Sequence, residues 1–138
     1  MQFAQIRDRV ETDAGTTGPI DVGALSGMWI NSNPDTNAIA RIVISESERD
    51  LSLQVYAIGP ERLIDWGSTR ADVFTFTPSS RVAAGFTCVF DFGFAETRLE
   101  GMLAKGLLVL AQFHAFKDKS GRADYFVREY FALDHGRY

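Results

Sequence analysis

From Leu25 onward the chain is built of short apolar runs broken by turn residues, and this rhythm restricts the fold more than any other feature. Eight runs stand out, at 27–31, 38–47, 51–58, 63–76, 83–92, 95–103, 107–116 and 123–133. Between them lie Asn33-Pro34-Asp35, Ser47-Glu48-Arg49-Asp50, Gly59-Pro60-Glu61, Pro78-Ser79-Ser80, Lys105-Gly106 and Asp118-Lys119-Ser120-Gly121. Gly, Pro, Asn and Asp supply the dihedrals that tight turns need. A parallel neighbour needs a crossover of about a dozen residues or more, so connections this short force sequential antiparallel pairing. The pattern predicts an all-β chain: a single eight-stranded antiparallel up-and-down β-barrel, closed because closure removes the exposed edges. A barrel of eight strands is either filled by side chains or holds one small ligand.

Residues 1–24 differ and form a separate N-terminal arm or short helix ahead of the barrel domain at 25–138. Phe3, Ile6 and Val10 share one helical face, and Asp13-Ala14-Gly15-Thr16-Thr17-Gly18-Pro19 is turn material. The 138 residues fit one domain, and 11 phenylalanines supply bulky walls for a core or pocket.

Alternation assigns faces. Ala40, Ile42 and Ile44 oppose Arg41, Val43 and Ser45; Leu51, Leu53 and Val55 oppose Ser52, Gln54 and Tyr56; Phe86, Cys88, Phe90 and Phe92 oppose Thr87, Val89 and Asp91; Thr97, Leu99 and Leu103 oppose Glu96, Arg98 and Glu100. The expected interior is therefore Ile42, Leu53, Val55, Phe86, Phe90, Phe92 and Leu99. The last two strands are apolar on both faces, with Leu107, Val109 and Phe113 against Leu108, Leu110 and Phe116, and with Phe126 and Tyr130 against Tyr125, Val127, Phe131 and Leu133. This predicts a homodimer, or larger homo-oligomer, through their outer faces, with the N-terminal arm as the rival cover.

A net charge of -4 with scattered Lys and Arg argues against nucleic acid and anionic membrane surfaces as partners. No apolar leader or membrane-spanning run is present, so the expected location is cytoplasmic. Cys88 is read as a small buried hydrophobe. There is no phosphate loop, no nucleophile elbow and no His/Cys metal spacing, hence no expected cofactor or metal.

The segment Gly27-Met28-Trp29 resembles the Gly-x-Trp of the first strand in the calycin barrels, the group of lipocalins, fatty-acid-binding proteins and avidins. The resemblance implies that Trp29 closes the barrel floor with a last-strand arginine, Arg128, lying across it. Arg128-Glu129-Tyr130 is also similar to the Arg-x-Tyr with which fatty-acid-binding proteins hold a carboxylate. Three roles for Arg128 stand open: a cap on Trp29, an anchor for a ligand's acidic or carbonyl group, or an outward surface charge.

Gln112 and His114 share a face; inward, they orient a ligand, and outward, they serve a subunit contact. Tyr56 and Trp66 are aromatic anchors at the mouth or in the packing. The candidate ligand-binding set is Trp29, Tyr56, Trp66, Phe86, Phe90, Phe92, Gln112, His114, Arg128 and Tyr130. Two functions follow from it. The first is binding of a small, largely hydrophobic molecule inside a lipocalin-like barrel. The second is cofactor-free cyclisation or isomerisation of a polyketide- or terpenoid-like substrate, with His114, Arg128 or Tyr130 polarising a carbonyl. The interior discriminates: filled by its own Phe rings it leaves room for neither, whereas converging polar groups favour chemistry.

Overall fold

Each alternating run becomes a strand, and the chain closes on itself. The computed structural model describes residues 19–47 and 50–135; the face carrying Phe3, Ile6 and Val10 lies outside them. The strands are β1 (Gly27–Asn31), β2 (Ile39–Ser47), β3 (Asp50–Ala57), β4 (Ile64–Phe74), β5 (Gly85–Asp91), β6 (Ala95–Ala104), β7 (Leu107–Phe116) and β8 (Tyr125–Asp134). They form one closed barrel in sequence order, with every neighbour antiparallel and β8 returning to β1. The architecture agrees with that of the calycin group.

The connections set the registers. Lys105 and Gly106 both have positive φ, 54° and 80°. This is the conformation of a two-residue hairpin loop whose twist matches its strands, and glycine takes the second position without strain. The β6–β7 ladder then runs unbroken from Ala104↔Leu107 to Ala95↔Phe116. Two bulges interrupt the other ladders, one at Ala40 between Ile39 and Arg41, and one at Trp66 opposite the Val55–Tyr56 step. The β4–β5 ladder is the shortest, pairing only Asp72–Phe74 with Gly85–Thr87.

One half of the barrel is solid. Ile42, Ile44, Leu51, Leu53, Phe86, Leu99, Leu108, Leu110 and Phe131 are buried in it, and Trp29, Leu25 and Val22 seal its end. The Trp29 indole donates from Nε1 to the Leu25 carbonyl at 2.8 Å, which satisfies its polar edge while the ring fills the floor. The residues ahead of β1 are tied down: Asp21 N–H donates to Arg81 O at 2.7 Å, and Ala83 N–H donates to Asp21 O at 2.8 Å. Trp29 is thus buried at one end of the barrel, as the sequence predicts. Arg128 does not lie across it. Arg128 pairs with Ala111 on the outer face of β8 and is exposed, whereas its neighbours Val127 and Glu129 turn inward.

Candidate ligand site at the barrel mouth

The site is positioned by hairpin arithmetic. Leu99 is wholly buried inside, and the Lys105–Gly106 turn places Gln112 directly opposite it and His114 opposite the inward Thr97. From β7 the pairs His114↔Tyr125, Gln112↔Val127 and Leu110↔Glu129 carry the same face onto β8. Four polar side chains therefore turn into the unsealed half of the barrel: Thr97, Gln112, His114 and Glu129.

They form two linked contacts. The Thr97 hydroxyl and His114 Nδ1 lie 2.8 Å apart. Gln112 donates from Nε2 to Glu129 Oε1 at 3.1 Å, and Thr36, in the β1–β2 loop, donates its hydroxyl to Glu129 Oε2 at 2.6 Å. Asn31 completes the arc, donating from Nδ2 to Ile39 O at 2.9 Å. Gln112 has no solvent exposure, and its Oε1 has no hydrogen-bond partner. Burial pushes the His114 pKa below its ordinary value, so the imidazole is neutral at neutral pH.

Across the barrel from β8 stands an aromatic wall. Trp66, turned in by its bulge, meets Phe90 edge-on at 5.5 Å and Phe92 at 5.1 Å between ring centroids. The belt continues through Phe94, 6.3 Å from Phe92, to the Arg122 guanidinium. Arg122 sits 4.1 Å over Phe116, and Tyr125 then links Phe116 to His114, stacking on the imidazole at 4.5 Å. Trp66, Phe92, His114, Val127 and Glu129 are only partly buried, whereas Ile39, Phe90, Thr97 and Gln112 at the same end are buried. A crease of about 310 Å³ runs over the rim and outer surface, lined by Phe113, Ala115 and Phe126 as well as His114, Asp124 and Tyr125.

The predicted residues divide across the wall. Trp29, Trp66, Phe86, Phe90, Phe92, Gln112 and His114 face inward, though Trp29 and Phe86 belong to the sealed half. Tyr56, Arg128 and Tyr130 face outward. Tyr56 carries the Arg41 guanidinium over its ring at 4.5 Å, and Tyr130 pairs with the outward Val109. His114 is therefore separated from Arg128 and Tyr130 by the barrel wall, and the three do not converge on one carbonyl. Arg128 instead borders an outer groove of about 670 Å³ with Phe74, Phe76, Met102 and Arg98. The inward polar residue of the last strand is Glu129, one position from each residue that the Arg-x-Tyr resemblance selects. Thr36, Tyr125 and Glu129 are missing from the candidate set; so is Thr97, which alternation places on the inner face with Leu99, where it is found. Cys88 is buried in apolar surroundings that push its thiol pKa up to about 12, in keeping with a packing role.

No protein-family model, no curated protein and no solved structure matches this chain.

Proposed function

We propose that this protein binds a small, largely hydrophobic molecule in the mouth of its lipocalin-like barrel, as a carrier or sensor. The reading is carried by the inward polar row Thr97, Gln112, His114 and Glu129, set against the aromatic wall of Trp66, Phe90 and Phe92. A barrel serving only as a packed module gains nothing from turning these groups inward, because burying a polar group without full compensation is costly. Apolar walls with a few placed polar groups are how proteins orient small molecules.

Titration with the fluorescent dye N-phenyl-1-naphthylamine tests the reading. Its emission is expected to rise and saturate at one dye per chain, and Trp66→Ala should weaken its affinity about tenfold, as loss of an aromatic contact does. Emission that stays at the level of free dye, with the protein folded by circular dichroism, would leave the barrel as a structural module.

A further inference from the structure

The mouth carries information on ligand charge as well as on polarity. The four strand arginines among the described residues, Arg41, Arg70, Arg98 and Arg128, all stand on the outer face, in register with Tyr56, Ser52, Phe113 and Ala111. At the rim, Arg122 lies over the ring of Phe116 and is ion-paired with Asp118 at 2.6 Å, and Lys117 is ion-paired with Asp91 at 2.8 Å. The titratable groups on the inward face of β7 and β8 are His114, kept neutral at neutral pH by burial, Glu129 and, at the rim, the Tyr125 phenol. The carboxylate turned inward is that of Glu129, and none of the strand arginines turns in beside it.

The hydrogen-bonding capacity is equally lopsided. Gln112 Nε2 is spent on Glu129, which fixes the amide orientation: the reversed amide would set its oxygen against a carboxylate. The atom left over is Oε1, an acceptor, fully enclosed and unpaired. Gln112 lies level with the half-buried Val127, its register partner on β8, and two residues along β7 from the half-buried His114. A buried acceptor without a donor costs about 1–3 kcal/mol, and a donor delivered by a ligand recovers it. The mouth thus asks for a hydrogen-bond donor on an aromatic body.

We infer that the molecule bound in the mouth is an uncharged, donor-bearing aromatic, of the phenol or N–H heterocycle class, whose donor is taken by Gln112 Oε1, and that carboxylates are excluded. This inference rests on the proposed mouth site. It departs from the carboxylate anchoring that Arg128-x-Tyr130 resembles in sequence, since both residues stand outside the barrel.

Three probes of one shape separate the possibilities: naphthalene, 2-naphthol and 2-naphthoate, each competing with N-phenyl-1-naphthylamine for the full-length protein at neutral pH. 2-Naphthol is expected to bind about tenfold tighter than naphthalene, in line with one hydrogen bond to a buried acceptor, and 2-naphthoate weakest of the three. In Gln112→Leu the advantage of naphthol over naphthalene should vanish while naphthalene still binds. In Glu129→Gln, which keeps side-chain size, the deficit of naphthoate should narrow. Equal binding of naphthol and naphthalene to the wild type would mean that Oε1 is met by an enclosed water only. Naphthoate binding as tightly as naphthol would overturn the charge selection while the site itself stood. Failure of all three to compete, or of the dye to bind, would remove the mouth site and the inference with it. Urea unfolding of each variant shows whether lost binding is lost folding.

Discussion

At the scale of single residues, His114 ties the site to stability. Its folded pKa lies below the ordinary 6.5 because burial disfavours the imidazolium. The sign follows from linkage: the unfolded chain takes up a proton first as pH falls, so the stabilising term is fully present above about 6.5 and is lost as pH drops through the folded pKa. Urea midpoints measured from pH 8 down to pH 5 should fall in the wild type, and His114→Gln should flatten that fall. An unchanged profile in the variant would assign the pH dependence to the carboxylates. The same residue shows why position matters more than type here. Glu129 holds both Gln112 and the Thr36 hydroxyl, while its sequence neighbours Arg128 and Tyr130 face solvent. A one-residue step along a strand exchanges inside for outside.

At the scale of strands, β2, β3, β5 and β6 were legible because one face is apolar and the other polar, and the interior residues expected on them all point inward. β7 and β8 were not, because a strand apolar on both faces has no contrast for period two to reveal. Their orientation is inherited through the ladder from β6, by way of a two-residue turn that the sequence does display. Asp65-Trp66-Gly67 reads as a bulge in the sequence and is one, with Gly67 at φ 87°, whereas the bulge at Ala40 has no signature: alternation places Ala40 inside with Ile42, but Ile39 takes the buried place. Gly101 is a strand position with a steric reason for its residue type: a Cβ there would meet the Phe86 ring at 2.3 Å. Gly101→Ala must push that ring off its packing, so the expected cost is ~1–3 kcal/mol by urea denaturation. A neutral result would show that Phe86 has room to turn, and that the sealed half is looser than its burial indicates.

At the scale of the whole molecule, the outer faces of β7 and β8 carry large apolar side chains that the described residues leave exposed. Phe113 and Phe126 stack at 5.8 Å with 41% and 65% exposure, and Tyr130, beyond Arg128 on the same face of β8, is 46% exposed. Leu108 and Leu110, by contrast, are wholly internal. We propose that a second copy covers Phe113, Phe126 and Tyr130 about a twofold axis, the commonest arrangement for such a stripe. Sedimentation of the full chain at micromolar concentration should give twice the monomer mass, and Phe126→Asp should return it to the monomer. A wild type that sediments as a monomer would return the role to residues 1–18. The ring of strands has one further property. Seven of its junctions are zipped by ladders of at least four residue pairs, but β4 and β5 share three, after which only the Thr69 hydroxyl reaches across, to Val89 O at 3.2 Å. A hoop under load parts at its thinnest join, and this one is caulked by Trp66 and Phe90 in place of main-chain bonds. Main-chain pairing is thus sparsest at the β4–β5 seam, and the wall there holds by the contact of rings more than by rungs.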